Sequence, residues 1–275
     1  METGFLTVYW REMLKFNRSK IMLFVAIIQP ALWLILFGIA MSNSFDIIIP
    51  EIPSIMSIDY LTFMAAGIIA MTILFTCLYS GISILIDKQF GLMKELVASP
   101  MPRSQILIGT TFSGMTKSFI QVIIIIVIGF VIGVQFFYGY SAQSAFVGIM
   151  GIFAFVALFS IGLMFLSSAI AMKIESHEAV QGVITLLTLP LFFLSNALYP
   201  IESFPAPLKL ISAFNPLTHF IDGVRYFGIG SDFTAMGTEY SYETQDILIS
   251  FTFLAGFAIL MYFIAWRTFK NAVIA

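Results

Sequence analysis

Apolar residues run along this chain in long stretches, separated by short polar segments. A helix needs about 20 mostly apolar residues to cross a bilayer, and six stretches meet that need: 21–41, 60–86, 106–137, 145–172, 179–198 and 247–266. A membrane β-strand would alternate polar and apolar residues, whereas Gln121–Val134 is almost continuously aliphatic. The third stretch exceeds one span and contains Lys117, so its first turns, up to about Ser118, are expected at or below the membrane surface. Ahead of the first stretch, Phe5, Tyr9, Met13 and Phe16 recur at helical spacing, with Arg11, Lys15 and Arg18 among them. That pattern predicts an amphipathic helix lying on the membrane surface within residues 1–20.

Two connecting segments also carry patterns. Asp87–Ala98 has helical periodicity: Phe90, Met93 and Val97 form one stripe, with Leu92 and Leu96 beside it. Ser99-Pro100 should end it, because proline disfavours helical dihedrals in the residue before it. Such a helix can rest its stripe on lipid or lay it in a groove on another protein. After the fifth stretch, Pro205–Phe214 and Leu217–Tyr226 each predict a short helix, with Asn215 as an N-cap and Pro216 at the first helical position. Both are too short to span. Together, over 200–226, they predict a re-entrant hairpin in one leaflet, with an ordinary surface lid as the alternative. His219 on the second helix is expected to be a hydrogen-bonding surface residue.

Composition excludes several classes. Of the 275 residues 60% are hydrophobic and 10% charged, against about 25% charged in an ordinary soluble domain. A soluble globule could not hide that much apolar surface, and disorder requires the opposite balance. A net charge of −2 gives no basic footprint for nucleic acid. One cysteine, Cys77, and two histidines, His177 and His219, supply neither a disulfide nor a multi-cysteine metal cage.

The distribution of charge orients the chain. Eleven of thirteen Lys and Arg residues flank the stretches on one side: Arg11, Lys15, Arg18, Lys20, Lys88, Lys94, Arg103, Lys117, Lys173, Arg267 and Lys270. The other side holds Lys209, Arg225 and nine acids. By the positive-inside rule both termini are expected in the cytoplasm. No cleavable signal peptide is expected, since about twenty residues, many of them polar or charged, precede a full-length span and no small-residue site follows.

The spans contain no Asp or Glu well inside them, which argues against ion-coupled transport. The polar residues at depth, Gln29, Gln121, Gln181 and Asn196, are expected to bond neighbouring helices. Ser167 and Ser168, and the Gly129–Gly133 pair, are read as packing contacts. A phosphate-binding loop requires GxxxxGK[ST], and Gly114–Ser118 lacks the glycine before its lysine. If this chain moves a substrate uphill, another chain must supply the energy.

Three patches resemble the permease subunits of type-2 ABC exporters, the group that includes daunorubicin-resistance and nodulation-factor export permeases. They are Gln29-Pro30-Ala31-Leu32-Trp33 with Phe37-Gly38, Asp87-Lys88-Gln89-Phe90-Gly91 running to Ser99-Pro100, and Ser195 to Arg225. Within the third, Tyr199-Pro200, Pro205, Asn215-Pro216-Leu217-Thr218, Asp222 and Arg225 are the most specific. The family often has Glu where this chain has Gln89, so the segment carries less negative charge.

The resemblance implies an all-α integral membrane protein, with 1–275 as a single type-2 transmembrane domain. It has six transmembrane helices, an N-terminal interfacial helix, a cytoplasmic coupling helix at 87–98 and an outer re-entrant helical hairpin at 200–226. It further implies two permease copies, as a homodimer or related heterodimer, working in lipid with two ATP-binding cassette subunits. ATP and Mg would bind on the partner subunit, with no cofactor and no enzyme activity on this chain. Asp87, Lys88, Phe90, Gly91, Met93, Leu96, Val97 and Pro100 would couple to the ATPase. Spans one, two and five would line the dimer axis and substrate path. Gln29, Pro30 and Trp33 form the first-span motif, and Pro200, Pro205, Asn215, Pro216, Asp222 and Arg225 belong to the hairpin that closes the exit. The expected place is the plasma membrane. The expected activity is efflux of a hydrophobic drug-like or lipid-linked substrate, with polysaccharide or glycolipid export, and then secondary transport, as alternatives. Thirty Phe and fifteen Met suit a greasy, adaptable path, and acidic exit loops favour neutral or cationic cargo over a polyanion.

Overall fold

A computed structural model describes residues 4–38, 40–41, 56–92 and 102–271. The fold is mostly helical. The chain forms α1 (Gly4–Arg18), α2 (Lys20–Leu32) running into a π-helical turn (Trp33–Phe37), α3 (Tyr60–Gln89), α4 (Arg103–Ile132) and α5 (Ala142–Lys173). Then come α6 (His177–Phe193), a 3-10 turn (Ile201–Ser203), α7 (Ala206–Ala213), α8 (Pro216–Gly228) and α9 (Thr244–Asn271). Among the described residues, α3, α4, α5 and α9 are long and apolar enough to cross a membrane. Two of the expected spans are shorter: α6 has 17 residues, about 25 Å at 1.5 Å per residue, and in the first span the shorter apolar helix is Ile28–Phe37.

The helices alternate in direction. Lys88 and Gln89 at the end of α3 donate to Met172 O and Glu175 O at the end of α5, at 3.3 and 2.8 Å. Those two helices therefore run in parallel, with α4 returning between them. Helix α9 runs parallel to α5, since Phe155 meets Phe251 and Phe165 meets Tyr262. Helix α1 and the end of α9 thus lie at one end of the bundle, with Lys88 and Lys173.

Helix α3 is the axis of the core, almost wholly enclosed, while fewer than a third of the residues in the apolar windows of α4 and α9 are buried. Small residues permit this. A Cβ at Gly81 would overlap Ser167, and Ser167 Oγ donates to Leu78 O at 2.6 Å. Ser168 instead bonds within its own helix, to Met164 O. Close approach through small residues is the usual way apolar helices pack in lipid.

Several boundaries differ from the sequence expectation. Helix α4 stops at Ile132 rather than Phe137, because Gly133 adopts φ +100°. Val134 N bonds Gly129 O and Gly133 N bonds Phe130 O, the two bonds of a Schellman cap, which needs a left-handed residue at that place. Gly129 and Gly133 are therefore a helix stop and not a helix–helix contact. Helix α6 ends at Phe193 rather than Leu198, where Leu194 and Ser195 turn back on Pro190 O and Phe192 O.

A three-stranded sheet interrupts the otherwise helical fold: β1 (Met56–Ser57), β2 (Asp232–Ala235) and β3 (Thr238–Ser241). Strand β1 pairs parallel to β2, and β2 antiparallel to β3 with Phe233 opposite Tyr240. Met236 and Gly237, both at positive φ, form the two-residue turn that matches strand twist. The sheet caps the N-terminal end of α3, opposite the end that holds α1.

Candidate functional site

At the basic end, α1 docks against α4 and α3. Its buried residues are Val8, Glu12 and Phe16, one per helical turn. Gly109 of α4 lets α1 approach, since a Cβ there would overlap Phe5 O and Val8. Tyr9 Oη and Thr116 Oγ1 lie 3.2 Å apart, and Lys117 Nζ sits 5.5 Å from the Phe16 ring centre. Glu12, which has no apolar role, is explained by its partners. Arg11 Nη2 donates to Glu12 Oε1 at 2.9 Å and to Asp87 Oδ2 at 2.6 Å. Lys15 Nζ donates to Glu12 Oε1 at 3.1 Å and to Asp87 Oδ1 at 2.9 Å. Two acids and two bases thus bolt α1 to the last turn of α3. Burial works against the Glu12 charge, but Lys15, Lys117 and Arg11 outweigh it and hold the carboxyl below its ordinary range.

Asp87 and Lys88 belong to α3 itself and do not open a separate helix. The helix ends at Gln89 with Phe90 as its C-cap, and Gly91 takes φ +79°. Phe90 then stands 79% exposed just beyond the ion cluster. Met93, Leu96, Val97 and Pro100 lie outside the described residues.

In the first span, Pro30 removes one backbone donor from α2, and the chain continues as the π-helical turn Trp33–Phe37. Gln29, Pro30 and Trp33 line a cavity of about 40 Å³ against Thr72, Phe75 and Thr76 of α3. Gln121 accepts from Thr76 Oγ1 at 2.6 Å, as expected of a polar residue at depth. Gln29 and Gln181 do not follow it: both are exposed on the chain's surface.

At the acidic end, α7 and α8 form two short helices joined at Asn215. Asn215 Oδ1 accepts from Leu217 N, capping α8, and Nδ2 donates to Leu191 O at 2.7 Å, tying the pair to α6. Pro216 follows the cap in the first turn, while Pro200 and Pro205 precede the 3-10 turn and α7. His219 bridges Ser250 Oγ and Ala213 O at 3.0 and 2.9 Å.

Arg225 departs most from expectation. It is 0% exposed, where a charge in an outer loop was expected. Its guanidinium lies 3.6 Å from the Phe63 ring centre and 5.9 Å from that of Tyr240. Nη2 donates to Asn196 O at 2.7 Å. Arginine is suited to such a place because its planar, weakly hydrated cation stacks on aromatic faces. Beside it, Asp222 Oδ1 accepts from Asn196 Nδ2 at 2.6 Å and Tyr242 Oη at 3.0 Å. Burial pushes the Asp222 carboxyl above its ordinary range, against the opposing pull of Arg225, Tyr242, Asn196 and His219.

The expected site residues therefore fall into three groups along α3: Asp87, Lys88, Phe90 and Gly91 at one end, Asn215, Asp222 and Arg225 at the other, and Gln29, Pro30 and Trp33 beside its middle. Sequence reasoning missed Glu12, Tyr240 and Tyr242. Glu12 had a signal, since Lys15 follows it at i+3. The tyrosines had the alternation around Met236-Gly237.

The sequence profile described as "ABC-2 type transporter" matches residues 3–227, from the start of α1 to the end of α8. A protein of Cyanophora paradoxa named as transport permease ycf38 is 33% identical over 217 residues, covering 78% of this chain and 71% of the relative. The daunorubicin resistance ABC transporter permease protein DrrB1 of Streptomyces coeruleorubidus is 22% identical over 218 residues, covering 78% and 71%. A Mycobacterium tuberculosis protein named as doxorubicin resistance ABC transporter permease protein DrrC is 22% identical over 220 residues, covering 80% and 75%.

Proposed function

This chain belongs to the ABC-2 type transporter family, and from that premise we propose that it is the membrane permease of an ATP-driven exporter for hydrophobic drug-like or lipid-linked molecules. Six helices cross the plasma membrane in this reading, with both termini in the cytoplasm. ATP and Mg bind on a separate ATP-binding cassette subunit, and this chain catalyses nothing by itself. The two drug-resistance relatives support the cargo class.

The observation that carries the reading is the junction at the basic end. Phe90 projects from the end of α3, the most enclosed of the four long apolar helices, and α1 is bolted to that same turn by the Arg11–Glu12–Lys15–Asp87 cluster. A partner that binds Phe90 and the segment following it would push on the axis of the core and on α1 together. Such a partner drives transport only if it binds two permease conformations with different affinity. The 87–98 segment is the proposed coupling site, with Asp87 and Lys88 as its anchor in α3.

Gln29 on α2 and Gln181 on α6 support a second permease copy. Polar side chains facing lipid are costly, and at membrane depth they find partners on neighbouring helices. The hairpin of α7 and α8 closes the exit at the acidic end. Reconstitution tests the whole: the chain should co-purify with an ATP-binding subunit and export a hydrophobic dye from vesicles only with ATP. Dye export that follows a pH gradient without nucleotide would overturn it.

A further inference from the structure

The outer end holds a cleft of about 370 Å³ between the 3-10 turn, α8, β3 and the start of α9. That volume lies within the range of small-molecule pockets. Glu202, Asp222, Glu239 and Asp246 line it, one carboxylate from each of four elements, and no Lys or Arg is among its lining residues. Charge alone would mean little, but two buried polar atoms also lack partners there. Asn196 is 1% exposed, and Oδ1 has no hydrogen bond; Tyr240 is 8% exposed, and Oη has none. Both residues line the cleft. The Asn196 amide is held by its bond from Nδ2 to Asp222 Oδ1, which leaves Oδ1 as an acceptor without a donor. Unmet buried acceptors of this kind are costly unless something supplies the missing donor.

The chemistry narrows the ligand. An anion would meet four carboxylates. A bare metal ion needs its ligands gathered around one point, and no group of three or more His, Cys, Asp or Glu side chains has metal-binding geometry among the described residues. Carboxylates spread around a drug-sized cleft, with Asn196 and Tyr240 among its lining residues, suit a larger body that carries N–H donors and positive charge.

We infer that this cleft binds an organic cation, a protonated amine on a drug-sized body, as it leaves the exporter. The inference rests on the reading above that this end faces outward, and it names one class of cargo for that exit.

Binding to the purified full chain in lipid nanodiscs, without ATP or partner, tests it. The probe is dansylcadaverine, a fluorescent primary ammonium, against its neutral N-acetyl derivative. The cation should bind roughly tenfold more tightly, as one charge-assisted hydrogen bond supplies, and should weaken as salt rises. Asp222→Asn should bring the two probes close to parity. If that variant does not fold, the exposed pair Glu202→Gln and Glu239→Gln should narrow the difference severalfold. Equal binding of both probes, or a preference untouched by these substitutions, overturns the inference. Failure of the exporter reading shows separately. Cys77 is buried, so an impermeant maleimide applied to intact cells and to inside-out vesicles, both carrying Glu239→Cys, reports the orientation of this end. Labelling from inside alone would sink the outward-facing exit whatever the probes do.

Discussion

Asp87→Asn isolates the junction between α1 and α3. The Asp87 side chain is 4% exposed and receives bonds from Arg11 at 2.6 Å and Lys15 at 2.9 Å. Hydrogen bonds to a charged group contribute about 1.5–3 kcal/mol each when desolvated, and fully exposed ion pairs about 0.2–1 kcal/mol. The two bases are 28% and 40% exposed, so each bond falls between these limits, at about 1 kcal/mol, and the pair at about 2 kcal/mol. Loss of that amount from the docking of α1 speeds local opening about thirtyfold. Hydrogen exchange of the α1 amides around Val8–Lys15 in detergent or nanodiscs reads this directly. Exchange in α3 near Phe63, at the other end, should not change. Lys15→Met should lower protection by a smaller amount, and adding it to Asp87→Asn should cost less than the sum, since both remove one shared bond. Unchanged α1 protection in Asp87→Asn would refute the reasoning and leave the docking of α1 to Val8, Phe16 and the Tyr9–Thr116 contact.

Two other outcomes follow from the same structure. Asn215→Ala removes the cap of α8 and its bond to Leu191 O, at about 2 kcal/mol; limited proteolysis between α7 and α8 should quicken while α1 protection stays as it was. The Glu12 carboxyl lies below the ordinary 4.5, so its stabilisation is complete above that value and is lost as pH falls through the lower folded value. Protection of α1 should therefore hold from pH 7 to about pH 5 and fall in more acid buffer, and Glu12→Gln should abolish that acid-sensitive component.

The legibility of this fold depended on what each residue contrasts with. Long helices were readable because aliphatic runs such as Gln121–Val134 contrast with water. That α3 would be the enclosed axis was not, since lipid and protein interior are equally apolar and demand the same side chains. Gly133 looked like a packing glycine because its spacing from Gly129 fits GxxxG; only its φ of +100° identifies it as the stop. Arg225 looked solvated because it follows a proline-rich segment. Its burial depends on Phe63 and Asn196, which are 162 and 29 residues away in sequence and leave no local pattern. The sheet was hidden by size, with β1 only two residues long. The ends of the two short helices were readable because Asn215-Pro216 is a local signal of cap and first turn.

Phe90→Glu tests the central claim most directly. Phe90 is 79% exposed and holds no part of the fold together, so the variant should insert and keep its α1 protection. Reconstituted with the proposed ATP-binding subunit, the natural chain should show ATP hydrolysis and dye export rising together. The variant should lose export and co-purification with that subunit. Full ATP-driven export by Phe90→Glu, with the partner still bound, would contradict the account.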